Sequence, residues 1–498
     1  MGWLWAALSI LTGLAGGVAL VVALRAVLLP DPYRRFLGFQ PVLAALVRWR
    51  LGPYRRTHSE PDAHLPTRVD RPVRVAVVGA GIAGIAASSV LAERGVAVTL
   101  IERNTYLGGK IGAWPVSFAD GGSAILEHGF HAFFRHYYNF ERFLTRLGLR
   151  EGFRPIGEYV ILRPDGSTLG FGGVEKTPGL NIIDLALRGM FDWRAIVRNP
   201  ASSKRMEALL RYDRSQTYAR WDQVSFADFA EQAGLDPDLA LSFNTFSRAF
   251  FADPDRMSMA ELVKSFHFYY LSHAEGLDYD FPVGNYHTTI LEPIREHLER
   301  HGVDIQLGVT VGSIERKRGA FRIGDDWFDA VVLAADVPGV RGIWERSADL
   351  SALDPGLAAR MGSLKVGQRY AVWRLWLDRD VRADLPVFVI TDRVSCLDSI
   401  TFFHRYEPEA QAWVGQRGGG SVLELHCYAV PDGLVDEDQV KRALWDDVVR
   451  FLPTLEGASP LREGFQLRKD FPAFHCGLWE SRPEVTTEVP GLYLAGDW

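Results

Sequence analysis

The chain has 498 residues, 47% of them hydrophobic and 23% charged, which fits two or three domains around a large core. Lys and Arg number 55 against 61 Asp and Glu, for a net charge of −6, so no basic field is present to hold a nucleic-acid backbone. Cys396, Cys427 and Cys476 are far apart with no CxxC spacing, which argues against a disulfide scaffold or a zinc site and for isolated thiols in a reducing compartment.

Trp3 to Leu24 carries no charged side chain. A helix of that length, at about 1.5 Å per residue, reaches roughly 33 Å and crosses a hydrocarbon core. A cleaved signal peptide needs a positive region before its apolar stretch, and none precedes Trp3. Arg25, Arg34, Arg35, Arg48, Arg50, Arg55 and Arg56 follow the span, so the expectation is a single-pass anchor with the body of the chain on the cytoplasmic side. Gly13 and Gly17 are spaced for close packing of two such helices, though nothing in the sequence fixes an oligomeric state. Residues 36–51 predict a helix lying on the membrane or packed on the main body. Residues 57–72 are polar, with Pro61, Pro66 and Pro72, and read as a linker.

Arg74 to Val78 is a buried-type strand running into Gly79-Ala80-Gly81-Ile82-Ala83-Gly84. A helix is predicted to about Arg94, then a second strand from Ala97 ending at Glu102. Each part has a physical task. Gly79 permits the turn, Gly81 lets the backbone approach a pyrophosphate, and Gly84 lets helix and strand pack closely. The helix N-terminus, with Ile82 and Ala83, offers unpaired N–H groups to phosphate. Glu102 is placed to accept ribose hydroxyls, with Arg103 beside it. The pattern predicts a bound dinucleotide.

Tyr106-Leu107-Gly108-Gly109-Lys110 follows closely, and the chain closes on Thr486 to Asp497, ending Tyr493-Leu494-Ala495-Gly496-Asp497. These segments resemble the flavin amine-oxidase and carotenoid-desaturase superfamily. The resemblance spans about 73–498 and implies that the dinucleotide is FAD. It implies that Gly108, Gly109 and Lys110 continue over the flavin, that Val311 meets the adenine end, and that Gly496 and Asp497 meet the ribityl chain. In that family a few dozen further residues follow, including a helix facing the flavin. The sequence here stops at Trp498, as a fragment or an unusual end.

Glu127-His128-Gly129-Phe130-His131-Ala132-Phe133-Phe134-Arg135 resembles carotenoid desaturases, and more closely the β-carotene desaturase/methyltransferase group of isorenieratene-synthase type. Phe266-His267-Phe268-Tyr269-Tyr270 with Glu275 to Asp280 carries the same resemblance. It implies an FAD-dependent oxidoreductase desaturating an apolar polyene or lipid-like substrate, with ring aromatisation as one form. Hydride would pass to flavin N5, with a quinone or oxygen as final acceptor. Rival readings are oxidation of another apolar lipid or amine, a non-redox carotene isomerase or cyclase, and a flavin-binding membrane scaffold.

His131, then His128, are the candidate catalytic groups, because imidazole titrates near neutrality; the rival reading is a pair of hydrogen-bonded structural histidines. Phe130, Phe133, Phe266, Phe268 and Tyr269 are candidate substrate-lining residues; for Phe266, Phe268 and Tyr269, at helical spacing, the rival reading is plain core. A metal cluster of His128, His131 and His136 lacks a second ligand group, so no metal is expected.

Further along, Tyr159 to Phe171 predicts a hairpin over Pro164-Asp165-Gly166. Residues 190–300 are expected to be mostly helical, with Ser225 and Asp228 opening a helix. Asp329 to Ala335, Tyr370 to Leu377 and Val422 to Tyr428 predict strands. The expected fold is α/β: a Rossmann-like FAD-binding domain of amine-oxidase/phytoene-desaturase type (73–150, 301–345, 471–498) with an inserted α+β substrate domain (151–300, 346–470). An N-terminal transmembrane helix (1–30) and an interfacial helix and linker (31–72) precede it.

Overall fold

The computed structural model describes residues 66–190, 207–235 and 247–498. The expected anchor, its Gly13/Gly17 face, the helix at 36–51 and most of the linker lie outside the described residues. Among those described, no helix is long and apolar enough to cross a membrane.

Strands are numbered in chain order. One sheet is parallel throughout and runs β10 (Asp304–Leu307), β2 (Ala97–Glu102), β1 (Arg74–Val78), β14 (Ala330–Leu333), β20 (Leu492–Leu494). Its inner strands β1, β2 and β14 are largely buried on both faces, as parallel strands are. Helix α1 (Ile82–Glu93) crosses between β1 and β2.

A second, mixed sheet runs β19 (Pro460–Arg468), β15 (Tyr370–Leu377), β18 (Ser421–Cys427), β17 (Ser399–Phe402), β16 (Phe388–Thr391), β7 (Val160–Leu162), β8 (Thr168–Gly170). Period-two alternation gives β15 and β18 two distinct faces. Ala371, Trp373, Leu375, Leu377, Leu423, Leu425 and Cys427 pack with Val440, Leu444, Val448 and Phe451 of the helix Glu437–Phe451. Tyr370, Val372, Arg374, Glu424 and His426 fall on the opposite face. Small sheets β3 (Ala113–Ser117)–β4 (Ser123–Glu127), β5 (Phe133–Phe134)–β9 (Tyr279–Pro282)–β6 (Phe153–Pro155) and β11 (Glu315–Lys317)–β12 (Ala320–Ile323)–β13 (Asp326–Phe328) complete the set.

The Ser225 hydroxyl accepts from Asp228 N at 3.0 Å and caps the helix Phe226–Ala233. The aromatic stretch departs from a regular helix. Met259–Phe266 is α-helical, but His267–Leu271 is a wider π-type turn closed by Ser272 N donating to His267 O at 2.8 Å. That turn changes the angular spacing of the rings it carries.

Candidate active site

At the C-terminal edge of β1 the chain turns through Gly79 at φ +106°, where a Cβ would stand 2.6 Å from Ala334 O. Gly79 N donates to Ile101 O at 2.8 Å, tying the turn to β2. A Cβ at Gly84 would fall 1.9 Å from Gly79 O, so only glycine lets α1 pack here. A Cβ at Gly81 meets nothing within 4 Å: the space beside this backbone is left open. Gly81 is the N-cap of α1 and supplies no side-chain cap, which leaves the first helical N–H groups available for an anion.

That opening belongs to a cleft of about 630 Å³ lined by Gly79, Gly81, Ile82, Ala83, Glu102, Arg103, Gly108, Gly109, Lys110, Val311, Gly496 and Asp497. Of the expected cofactor residues, Gly84 alone lies behind the wall. Glu102 Oε2 accepts from Ala80 N at 2.8 Å and Oε1 from Asn104 N at 2.9 Å. Each oxygen keeps a further lone pair for a ligand hydroxyl. Gly108 N donates to Ala80 O at 2.8 Å, laying the second glycine loop over the first. Lys110 Nζ pairs with Asp497 Oδ2 at 2.5 Å and lies 4.5 Å from the Phe471 ring centroid. An open backbone approach, an uncapped helix end and a fixed carboxylate at the end of β2 together fit a dinucleotide.

A second cavity, of about 880 Å³, lies against the seven-stranded sheet, with Phe130, Tyr159, Phe171, Tyr279 and Phe388 among its walls. His128 lines both spaces. Its Nε2 is 2.8 Å from the Tyr370 hydroxyl, which donates to Asp470 Oδ1 at 2.9 Å. With the hydroxyl proton directed at Asp470, the His128 Nε2–H is the donor to Tyr370, which sets the tautomer. Burial pushes His128 below its ordinary value, against the pull of Asp470. Burial opposes ionisation of Asp470 too, yet His128 and Tyr370 hold it down to about 2.

His131 also lines the apolar cavity. Its Nδ1 lies 2.7 Å from Gly129 O. A carbonyl only accepts, so Nδ1 carries the proton and Nε2 is a bare acceptor. Burial pushes His131 down to about 4, so the ring is neutral at physiological pH. Tyr286 braces the loop, accepting from His131 N at 2.7 Å and donating to Gly129 O at 3.2 Å.

Phe130 and Tyr269 are on the cavity wall. Phe133, Phe266 and Phe268 are not, and the expectation for these three is corrected. Phe133 points into the core against Phe140 and Phe153, at 5.2 and 5.3 Å between ring centroids. Phe266 stacks on Tyr270 at 4.9 Å inside a separate core cluster. Phe268 leans on His136 at 4.2 Å and is partly solvent-exposed. His136 is held among these rings, away from His128 and His131.

The sequence reading missed Tyr370 and Asp470, and it missed a buried charge network beneath the loop. Arg374 Nε donates to Glu424 Oε2 at 2.9 Å and Nη2 to Glu127 Oε2 at 2.8 Å. Glu424 Oε1 accepts from Phe130 N at 2.8 Å, and Glu127 Oε1 from Tyr286 N at 2.6 Å. The signal was present: Glu424 and His426 interrupt an otherwise apolar strand on one face.

The flavin containing amine oxidoreductase family matches residues 82–498. The chain belongs to this family. It is therefore an FAD-dependent oxidoreductase. A carotenoid phi-ring synthase of Streptomyces griseus is 38% identical over 434 residues, covering 85% of this chain and 82% of that protein. A carotenoid phi-ring synthase of Chlorobaculum tepidum is 24% identical, covering 89% and 87%. A zeta-carotene desaturase of Synechocystis is 26% identical, covering 54% and 59%. Among solved structures, putrescine oxidase bound to putrescine superposes with a TM-score of 0.61 at 17% identity, covering 86% and 93%. Cyclohexylamine oxidase from Brevibacterium oxydans gives 0.59 at 16%, also covering 86% and 93%. These two structures share the fold.

Proposed function

We propose that this oxidoreductase desaturates a carotenoid, and that the reaction extends to aromatising a β-ionone ring. The observation that carries this reading is the cavity of about 880 Å³, walled by aromatic rings and meeting the cofactor cleft at His128. Its size and lining suit an apolar ligand. The names of the two phi-ring synthases support the ring chemistry. FAD, when bound, supplies the two-electron acceptor. The chain's own residues bind the polyene against Phe130, Tyr159 and Phe388, and exclude water from the junction. His128, His131 and Tyr269 orient the reacting end, with the bare Nε2 of His131 as the fixed polar contact.

In this reading Trp3 to Leu24 anchors the enzyme in the membrane that stores the polyene, with the catalytic body on the cytoplasmic side. A quinone or oxygen takes the electrons on. The parallel sheet with its loops is the FAD-binding domain, and the seven-stranded sheet with the helices before it is the substrate domain.

Pigment analysis tests the proposal. The full chain is expressed in a bacterial host making lycopene or β-carotene, and extracts are separated and weighed by mass spectrometry. The expected product lacks hydrogen relative to its precursor and absorbs as an aryl carotenoid. Unchanged pigment beside flavin-loaded protein overturns the carotenoid assignment.

A further inference from the structure

Building on the carotenoid reading, we propose that His426, backed by Glu424, is the base that receives the proton the polyene loses. The two residues sit two apart on β18 and face the cavity side of the sheet. His426 Nε2 lies 2.9 Å from Glu424 Oε1. An ionised carboxylate only accepts, so Nε2 carries the proton and Nδ1 holds the lone pair. Nδ1 has no hydrogen-bond partner among the described residues, and His426 lines the apolar cavity. The ring edge packs on the loop already assigned to the site: a Cβ at Gly129 would stand 3.1 Å from His426 Cε1. Gly129, at φ +124°, thus sets His426 beside His128 and His131.

The other two histidines are less suited to holding a proton. His131 spends its N–H on a backbone carbonyl, and no carboxylate bonds its ring. His128 points its N–H at Tyr370, on the cofactor side. His426 has a counter-ion in place. Burial opposes charge on Glu424, but Arg374 and His426 itself hold its carboxyl down to about 2, so it is ionised when the imidazole must become a cation. The charged and titratable groups around His426 are Glu424 with Arg374 behind it, and His131 across Gly129. Beyond Tyr428, Asp398 is paired with Arg248 and Arg393.

The step balances. Oxidation by the family's flavin chemistry removes a hydride with its electron pair and leaves an electron-deficient polyene carbon. The adjacent C–H bond then breaks, its electron pair becomes the new C=C bond, and the proton goes to Nδ1. The product is an imidazolium held against Glu424.

The test is anaerobic single turnover of the full-length, FAD-loaded enzyme with β-carotene in detergent micelles. Flavin bleaching, product mass, FAD content and melting temperature are followed. His426→Gln is expected to keep its FAD and its melting temperature while turnover falls by about 10²–10⁴-fold. The wild-type rate is expected to fall on acidification, and this limb should vanish from the residual rate of His426→Gln but persist in His131→Gln. Glu424→Gln, which removes the counter-ion, is expected to keep the limb and move it to higher acidity. It serves as the second variant if His426→Gln does not fold. Turnover of His426→Gln equal to wild type, loss of the limb in His131→Gln instead, or an unmoved limb in Glu424→Gln overturns the proposal alone. A wild-type enzyme whose flavin no carotenoid bleaches overturns the substrate reading and this proposal together.

Discussion

Arg374 is one of the largest fully buried side chains of the protein, and its guanidinium lies 3.6 Å from the Phe403 ring centroid. Burying such a cation is costly unless its partners stay in place. Arg374→Met keeps the volume but leaves Glu127 and Glu424 facing each other. It is expected to destabilise the fold by about 3–5 kcal/mol, read from denaturant midpoints. A loss near zero would mean the carboxylates find water. Glu407 gives a pH signature. Burial and the charges of Glu127, Glu409 and Glu424 push it up to about 8 despite Arg374. The folded chain therefore holds a proton that the unfolded chain releases near its ordinary 4.5. Its contribution is fully present below that value and is lost as pH rises towards 8, at up to about 1.4 kcal/mol per pH unit. Glu407→Gln is expected to flatten this decline in unfolding free energy. Glu424 works the other way: its stabilisation is present above 4.5 and is lost as pH falls towards about 2. The polar pair on β18 was a signal in the sequence, but its pairing was not legible, because Arg374 and Glu127 are 247 residues apart and no periodicity links them.

At the scale of elements, the loop between β1 and α1 separates two roles that one glycine pattern conceals. Gly81→Ala adds a methyl where the protein leaves space, so apo-protein melting is expected to stay unchanged while FAD content falls. Gly84→Ala drives the helix off the Gly79 carbonyl, so the apo-protein itself is expected to melt lower. Equal effects of both on the apo-protein would contradict the geometry. The fingerprint and the strands β1, β2, β7, β8, β14, β15 and β18 were readable because each has its own local signal: continuous apolar runs, a Pro-Asp-Gly turn, glycines at fixed offsets. In the aromatic stretch at 266–270 both readings hold in part: Tyr269 lines the cavity and Phe266 is plain core, and the wider turn at His267–Leu271 departs from the assumed period of 3.6. The Phe133 assignment failed for another reason. β5 is only two residues long, and neighbours in an extended segment point to opposite sides.

Across the whole molecule, the cleft beside Gly81 is enclosed by pieces distant in the chain: Gly79, Gly81 to Ala83 and Glu102, then Val311, then Asp497 paired to Lys110 at a separation of 387 residues. A ligand touching all of them ties the fold together. FAD at about 100 times its dissociation constant is expected to add roughly 2.7 kcal/mol of stability, seen as a melting temperature that climbs with FAD concentration. Independence from FAD would mean that the folded chain does not bind it at this cleft. The fold class was legible from the sequence, because both ends of this cleft carry specific motifs. The meeting of two cavities at His128 was not, since it depends on how β15 and the segment around Asp470 stand behind that ring.

The order of strands in the parallel sheet has a consequence for the protein's birth. β1 lies between β2 and β14, so its hydrogen-bonding edge waits for a strand some 255 residues later, the separation of the Arg74–Asp329 contact. The outer strand β20 emerges roughly 400 residues after β1, which at ribosomal speeds of about 5–20 residues per second means roughly 20–80 s. Until β14 is made, about 13–50 s after β1 at those speeds, Val75 to Val78 is an apolar edge without its neighbour, open to pairing with another nascent chain, and the edge of β14 then waits for β20. A cell making this enzyme must shelter first the edge of β1 and then the edge of β14 until synthesis is nearly done, so its yield should depend more on holding chaperones and slow expression than on final stability.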